Sequence, residues 1–430
     1  MNILGYIIYN IIYTIIFILL FPLYLIYNLG KAKYRKTFKQ RLGIHDSQFY
    51  CRLKDKKVIW LHAASVGEMF LAKEIYKRLK NENYNFLIST TTHSGLKVAE
   101  ESFDSKGVQV SLLPIDIFWM MGNFAKKINP GYTILVETNL WPNFIYHLNK
   151  YSKKVIMVNS YFDKNDLYDH FILPGLIKEV MAKIDYITLQ SANDSERISS
   201  YISREKLEVT GNMKIDVLAS EQQEQKPNNL RRELKIKDKQ PVFIAGSTHK
   251  GEEELILNAY QKLINYFPDL ILIIAPRHIE RVDELINICH KSGFSAHRKT
   301  NLVNLQGRKN NIIILDTLGE LRYFYSAADI SFVGGTLIKK GGHNLLEPVI
   351  NRSPVLFGPY HKNFRQIADL IVDYEAGYEV AGALELEEKV KELLSNHQKI
   401  KEIQKGAVKL INDHSGALEK NIQVLKECLS

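Results

Sequence analysis

The chain begins with a long apolar segment that ends in a cluster of basic residues. Residues 1–30 contain no charged side chain, and Ile, Leu, Phe and Tyr dominate from Ile3 to Leu29. About 20 apolar residues are enough for a helix to cross a bilayer. The basic residues that follow are Lys31, Lys33, Arg35, Lys36, Lys39 and Arg41. This pattern predicts a membrane anchor with the rest of the chain on the cytoplasmic side. A signal peptide fits less well, because a basic start and a small-residue cleavage site are missing.

After about residue 55, strand-like apolar runs alternate with amphipathic helical stretches, a pattern typical of βαβ units and parallel sheets. In the first half we expect strands at Val58–Ala63, Phe86–Thr91, Val108–Leu113, Thr133–Glu137, Lys154–Asn159 and Tyr186–Gln190. In the second half we expect them near Pro241–Gly246, Leu270–Ala275, Ile312–Asp316, Ile330–Val333 and Pro354–Phe357.

The two halves repeat one local pattern, a strand followed by a small-residue loop and the start of a helix. It occurs over Val58–Glu68 and again over Val242–Glu252. Two Rossmann-like domains facing across a cleft would explain the repeat, with ligands at the carboxyl ends of the strands. The polar stretch Glu221–Arg232 is the best linker candidate. We therefore expect an anchor at 1–30, a first domain at 31–220, and a second at 221–430 that ends in helices. The helical tail from about Leu384 to Ser430 could also pack back on the first domain.

Charge adds one constraint to this picture. The chain has 430 residues and a formal net charge of +10, which favours an anionic partner such as nucleic acid, anionic lipid or a phosphorylated substrate. The three cysteines, Cys51, Cys289 and Cys428, are far apart and lack metal-type spacing. A disulfide framework and a cysteine-based zinc site are therefore not expected.

Three polar positions in the first half could carry chemistry. Glu68 lies in the first turn of a predicted helix, where an acid can complement the helix dipole or act as a general base. Glu137 ends an apolar strand and is either a cleft-facing acid or a structural one. Lys214, near the seam between the halves, could stabilise negative charge or be a solvated side chain.

In the second half, Arg277 follows a very apolar strand, and its planar fork is suited to a phosphate or a polar base. The glycine pairs Gly334-Gly335 and Gly341-Gly342 precede a helix expected near Asn344. Backbone N–H groups at such a site favour an anion, which predicts a nucleotide-phosphate site. Glu347 would reach ribose hydroxyls. The stretch lacks the ending of a Walker A loop, which argues against an ATPase.

Together these motifs resemble one family, the Kdo (3-deoxy-D-manno-octulosonic acid) transferases that act on lipid A precursors. They occur in family order across almost the whole chain, and their combination is specific. The motifs are Ser65-Val66-Gly67-Glu68, Glu137-Thr138-Asn139-Leu140-Trp141-Pro142-Asn143, Gly211-Asn212-Met213-Lys214-Ile215-Asp216, Ser247-Thr248-His249-Lys250-Gly251-Glu252-Glu253, Pro276-Arg277-His278, Asp316-Thr317-Leu318-Gly319-Glu320-Leu321 and Gly341-Gly342-His343-Asn344-Leu345-Leu346-Glu347.

The resemblance implies an α/β GT-B fold, a CMP-Kdo donor and a lipid IVA-type acceptor at the cytoplasmic face of an inner membrane. It implies that Glu68 is the base and that Glu137 and Lys214 assist the transition state. The residues that it implies for CMP binding are Pro276, Arg277, Leu318, Gly319, Glu320, Asn344, Leu345, Leu346 and Glu347. No Asp-x-Asp pair lies where a metal-dependent sugar transferase would need one, so we expect neither metal nor cofactor.

Two positions depart from the family pattern. Asn139 stands where many relatives carry a second glutamate, and the segment Asn159–Asp163 lacks an arginine usually found two residues after the asparagine. Both concern the acceptor side. Two alternatives stay open: a GT-B transferase with a UDP-sugar donor, and a basic membrane-anchored nucleic-acid binder. The second predicts interleaved aromatic and basic residues, which are not found beyond the anchor flank. We therefore expect no nucleic-acid partner.

Overall fold

The computed structural model describes residues 3–30, 32–80, 83–103, 107–162, 174–224, 230–234, 236–237, 239–301 and 311–430. Lys31, Asp163 and residues 225–229 of the predicted linker lie outside them. The described chain forms two compact units. The first contains Met1–Val217 and Ser415–Ser430, and the second contains Leu218–His414.

The first unit contains a seven-stranded parallel sheet in the order β3-β2-β1-β4-β5-β6-β7. Its strands are β1 (Lys57–His62), β2 (Tyr84–Thr90), β3 (Val108–Leu112), β4 (Tyr132–Val136), β5 (Lys154–Ser160), β6 (Tyr186–Leu189) and β7 (Leu207–Val209). Its helices are α1 (Ile3–Gly30), α2 (Ala32–Arg41), α3 (Ser47–Cys51), α4 (Val66–Leu79), α5 (His93–Ser102), α6 (Phe118–Ile128), α7 (Pro142–Tyr151), α8 (Pro174–Ala182) and α9 (Ala192–Ile198). Helix α10 (Met213–Glu224) begins in the first unit and continues past its end at Val217.

The second unit repeats this plan with a parallel sheet in the order β10-β11-β9-β8-β12-β13-β14. Its strands are β8 (Val242–Thr248), β9 (Ile271–Pro276), β10 (Ser295–Arg298), β11 (Asn311–Ile314), β12 (Ile330–Val333), β13 (Val355–Phe357) and β14 (Gly377–Glu379). Its helices are α11 (Leu230–Glu233), α12 (Glu253–Tyr266), α13 (Val282–Lys291), α14 (Leu321–Phe324), α15 (Leu346–Ile350), α16 (Arg365–Asp373), α17 (Ala383–Ser395) and α18 (His397–His414). The last helix of the chain is α19 (Ala417–Leu429).

Both sheets are buried on their two faces, which explains their continuous apolar strands. In β1, Trp60 packs with Phe124 and Phe144 on one face, while Leu61 packs with Met69 on the other. Side chains alternate along a strand, so one apolar run supplies both layers. The predicted parallel α/β class with two domains is confirmed. Three short edge strands, β7, β10 and β14, were not predicted, because their few residues are largely polar or exposed.

The C-terminal helix α19 differs from the expected domain division, because it belongs to the first unit. Leu418, Ile422 and Leu425 join the core on one face of the first sheet. The Asp216 carboxylate accepts hydrogen bonds from the N–H groups of Gly416 (2.9 Å) and Leu418 (2.8 Å) and so caps this helix. An amphipathic helix packs its apolar side chains against an uncovered sheet face, even when that sheet is far from the helix in the sequence.

The apolar helix α1 is long enough, by length and composition, to cross a membrane over Leu4–Ile26. Its first turns contact the first unit. The Tyr6 hydroxyl donates to Asn143 Oδ1 (2.6 Å), and the Tyr9 hydroxyl donates to Asp116 Oδ2 (2.9 Å). Beyond them, apolar side chains such as Leu19 and Leu23 are exposed. The helix is thus fixed to the domain at one end and leaves an apolar surface suited to lipid.

One residue of the basic flank has a structural partner. The Arg41 guanidinium donates to the carbonyls of Leu113 (3.2 Å) and Thr91, at the ends of β3 and β2. Burial lowers the pKa of Arg41. This arginine therefore joins the flank to the sheet.

Replacing Asp216 by Ala tests the docking of α19. Loss of an N-cap costs about 1 kcal/mol, so we expect the melting temperature of the first unit to fall by about 2–4 °C. Differential scanning fluorimetry of the full chain measures this. Lys420→Ala, an exposed change on the same helix, is the control. Equal melting temperatures for both variants would contradict the capping role.

Candidate active site

The carboxyl edge of the first sheet gathers the three residues predicted there. β1 ends at His62, and Ser65 then caps α4 by accepting a hydrogen bond from the Glu68 N–H (3.3 Å). β4 ends one residue before Glu137, and Lys214 is the second residue of α10. β1 and β4 are parallel and adjacent, so their ends bring the two glutamates together, and α10 places Lys214 beside them.

The Glu68 carboxylate is held by two donors. Its Oε2 accepts from the Ala64 N–H (2.7 Å) and from Asn139 Nδ2 (3.4 Å). Burial and, next, the charge of Glu137 raise the pKa of Glu68, and these effects outweigh the opposing effects of Ser65, Ala64 and Lys214. A carboxyl whose pKa is moved towards neutrality is a better proton acceptor than an ordinary glutamate.

Glu137 and Lys214 form an ion pair, with 2.6 Å between Lys214 Nζ and Glu137 Oε1. Burial alone would lower the pKa of Lys214, but attraction to Glu137 and Glu68 raises it overall. The lysine therefore remains a cation next to two carboxyl groups. Such a fixed charge can stabilise negative charge that develops in a reaction.

Asn159 is a site residue that we did not predict. Its Nδ2 donates to Glu137 Oε1 (3.3 Å), and its Oδ1 accepts from the Met213 N–H (2.8 Å) at the start of α10. One buried amide thus positions both partners of the ion pair. Asn159 and Glu137 have left-handed backbones, with φ of 56° and 60°. Such strain concentrates at functional sites, but only coordinates reveal it.

In the second unit, the residues predicted to bind the donor follow three strands of one sheet. Pro276 and Arg277 end β9, Leu318–Glu320 follow β11, and Asn344–Glu347 follow β12. The three strands are parallel, so these loops lie at one edge.

Their side chains differ in what they can offer. Arg277 is exposed, and within the described residues its guanidinium makes no hydrogen bond. Leu318 is 83% exposed. Glu320 is paired with Lys299 (3.0 Å), and a ligand would have to compete for it.

Asn344 organises the last of these loops. Its Oδ1 accepts from the Leu346 N–H (3.1 Å), and its Nδ2 donates to Glu347 Oε1 (3.2 Å). Leu345 and Leu346 are buried, so they would offer a ligand mainly backbone groups. The helix begins at Leu346, two residues later than expected, and it is one turn long.

The first glycine pair, Gly334-Gly335, does not provide the free N–H groups that the predicted phosphate site requires. The buried Glu252 carboxylate accepts from the N–H groups of Gly335 (2.7 Å), Thr336 (3.2 Å) and Leu337 (2.9 Å). These backbone donors therefore already bind a carboxylate of the chain itself. A phosphate would have to bind elsewhere on this edge, because these N–H groups are satisfied.

Comparison with known proteins shows which proteins the chain resembles. Residues 36–217 match the family model described as 3-Deoxy-D-manno-octulosonic-acid transferase (kdotransferase). A 3-deoxy-D-manno-octulosonic acid transferase of Haemophilus influenzae is 29% identical over 402 residues, which are 92% of each chain. A namesake from Chlamydia trachomatis is 28% identical over 353 residues, or 81% of this chain and 80% of that one. The chain is thus similar to Kdo transferases over most of its length.

The chain is also similar to part of a longer protein. A bifunctional glycosyltransferase/methyltransferase of Fusobacterium nucleatum is 36% identical over 354 residues, which are 81% of this chain. The match spans 54% of that relative's length.

Solved structures show the fold. A glycosyltransferase from Rickettsia africae has a TM-score of 0.53 at 16% identity, and a UDP-GlcNAc 2-epimerase from Neisseria meningitidis has a TM-score of 0.57 at 12% identity. Each match covers 87% of this chain and 99% of the other. The predicted GT-B fold class is thereby confirmed.

Asn139→Glu tests the electrostatics around Glu68. The change replaces an amide donor 3.4 Å from Glu68 Oε2 by a second carboxylate, and both effects disfavour the ionised form of Glu68. A general base is active only when it is deprotonated. When the pH is lowered, a base with a raised pKa becomes protonated earlier, so activity is lost at a higher pH. We expect the acidic limb of the kcat/KM–pH profile to move up by about one unit.

Asn149→Glu is the matched control, because it adds the same charge at an exposed position of α7. Its acidic limb should coincide with that of the unmodified protein. A limb that stays in place, or moves down, in Asn139→Glu would show that Glu68 does not control this part of the profile.

Proposed function

We propose that this protein transfers Kdo from CMP-Kdo to a lipid IVA-type lipid A precursor, without a metal ion and with Glu68 as general base. The observation that carries the proposal is the arrangement of Glu68 in a domain that matches the family. Its carboxylate has a raised pKa, is oriented by Ala64 and Asn139, and lies beside the Glu137–Lys214 ion pair.

The chemistry follows from these groups. A hydroxyl of the acceptor gives its proton to the Glu68 carboxylate while its oxygen bonds to the anomeric carbon of Kdo. The bond from that carbon to the phosphate oxygen breaks, and CMP leaves with the electron pair. Base catalysis of this kind contributes about 10²–10⁴-fold.

Lys214 and Glu137 would serve the transition state in opposite ways. The sugar passes through an oxocarbenium-like state, which a nearby carboxylate stabilises, and the lysine balances negative charge of the leaving group or the sugar acid. Because Asn159 fixes the pair by hydrogen bonds, little reorganisation is needed when charge develops. Fixed dipoles and charges are most effective when they are already in place.

On the donor side, the proposal uses the groups at the carboxyl edge of the second sheet. The free fork of Arg277 can bind a phosphate or the cytosine edge. Glu347, aligned by Asn344 (3.2 Å), can accept hydrogen bonds from ribose hydroxyls. Pro276, Leu318, Gly319 and Glu320, with the backbone of Asn344, Leu345 and Leu346, would complete the CMP site.

The anchor supports a lipid acceptor. Tyr6 bonds to Asn143, which lies just after the loop that begins at Glu137, so the apolar helix is attached next to the candidate site. Trp141 of the same loop is 41% exposed. We place the catalytic domains at the cytoplasmic face of the inner membrane, where the anchor would hold them beside an acceptor in the bilayer.

Glu68→Gln tests the base directly. Glutamine can still accept from Ala64 but cannot take a proton, so we expect kcat to fall by about 10²–10⁴-fold with an unchanged melting temperature. Transfer assays with radiolabelled Kdo measure the rate. Glu74→Gln, which removes a surface carboxylate from the same helix, should retain activity. A Glu68→Gln protein with near-normal turnover would refute the assignment.

A further inference from the structure

Three histidines from three loops meet at the carboxyl edge of the second sheet, and the mechanism above uses none of them. His249 follows β8, His278 follows β9, and His343 lies in the second glycine-rich loop. The Nε2 atoms of His249 and His343 are 2.8 Å apart, and their rings are nearly parallel at 11°. The His278 ring meets His249 edge-on, with 5.8 Å between the ring centres.

The pair is seated on a glycine. A Cβ atom at Gly335 would lie 3.2 Å from His343 Cδ2 and 3.5 Å from His249 Cδ2. Gly335 is also left-handed, with φ of 71°, and its N–H is bonded to Glu252. The turn whose N–H groups bind Glu252 therefore packs against both imidazole rings. This packing fixes the pair in place.

The surroundings of the pair are positively charged. Burial comes first in lowering the pKa of His249, followed by the charges of His278, Lys340, Arg277 and Arg281. Burial, and then Arg277, also lower the pKa of His343 to about 4. The carboxylate oxygens of the nearby Glu252 accept hydrogen bonds from backbone N–H groups. In the described part of the chain, no carboxylate bonds to either ring of the pair.

This environment favours an anion over a cation. A metal ion would be repelled by Arg277 and its basic neighbours. Within the described ranges, no group of three His, Cys, Asp or Glu side chains is arranged to hold a metal. The mutual bond also leaves a donor: the ring that accepts at Nε2 is protonated at Nδ1 when neutral. Protonation of the other ring would add a second donor and a positive charge.

We propose that His249 and His343 form an anion-binding pair that holds a negatively charged group of the sugar donor, either its phosphate or its sugar carboxylate. This rests on the proposed function in taking the donor to be CMP-Kdo. The neutral pair supplies one N–H donor, at Nδ1 of the ring that accepts, and Arg277 beside it supplies a permanent charge. The pair would thus bind the anion in place of the backbone N–H groups of Gly335–Leu337, which are already bonded to Glu252.

The test compares the double variant His249→Ala/His343→Ala with the unmodified full chain in detergent. Isothermal titration measures the affinities for CMP, cytidine and inorganic phosphate, and steady-state kinetics gives KM and kcat for CMP-Kdo. His290→Ala, an exposed histidine of α13, is the control for loss of an imidazole. Melting temperatures check that each variant is folded.

A phosphate role predicts CMP binding about ten- to a hundredfold weaker in the double variant, with cytidine binding unchanged, as expected for loss of hydrogen bonds to a charged group. A carboxylate role predicts unchanged CMP binding and a KM for CMP-Kdo that rises by a similar factor. Either result supports the pair. Unchanged CMP affinity together with unchanged KM in the folded double variant would overturn it.

Failure of the proposed donor gives a different result. If the unmodified chain binds UMP more tightly than CMP, the donor proposal is wrong, whatever the histidines do. The pair is then judged by inorganic phosphate: weaker phosphate binding in the double variant supports it, and equal binding in both proteins overturns it.

Discussion

The ammonium of Lys214, 2.6 Å from Glu137 and close enough to act on Glu68, holds together a site that would otherwise contain two half-buried carboxyl groups side by side. Two like charges in one place disfavour the ionisation of both. The lysine pairs directly with Glu137, while burial, followed by the charge of Glu137, raises the pKa of Glu68. The raised pKa suits Glu68 to take a proton, and the lysine provides a fixed positive charge beside it.

The lysine can have this effect because the fold brings α10 back to the strand ends. Asn159 joins the start of α10 to Glu137, and Asp216 on the same helix caps α19. The helix that carries Lys214 is thus held at one end by the active-site strand and farther along by the C-terminal helix. The stability of the first unit and the geometry of the candidate site depend on the same few hydrogen bonds.

In the second unit, the groups that need a partner are backbone N–H groups, and the partner is a carboxylate. The turn after β12 exposes several N–H groups, and Glu252 occupies them with a carboxylate from the chain itself. The loop is therefore rigid before any ligand arrives. The positive groups that remain are side chains: Arg277 and the histidines around it. A donor with a negatively charged group would bind to these side chains, held on a rigid backbone.

Much of this could be predicted from the sequence, because continuous apolar strands and helical spacing report burial directly. The parallel sheets follow from those patterns, and so do the positions of Glu137 at a strand end and of Glu68 in the first turn of a helix. Asn159 and Glu252 could not be predicted in this way, because their importance lies in backbone N–H groups and left-handed turns far away in sequence. The helices at the end of the chain were predicted, but the sequence left open which domain α19 joins, since an apolar stripe does not state which sheet it covers.

Mass spectrometry of the lipid product tests the central claim most directly. The purified full chain is incubated with lipid IVA and CMP-Kdo generated in situ, and in parallel with UDP-sugars. The expected product is heavier than lipid IVA by one or more Kdo residues, and the increment counts how many are added. Lipid IVA that stays unmodified with CMP-Kdo but gains a sugar from a UDP donor would contradict it.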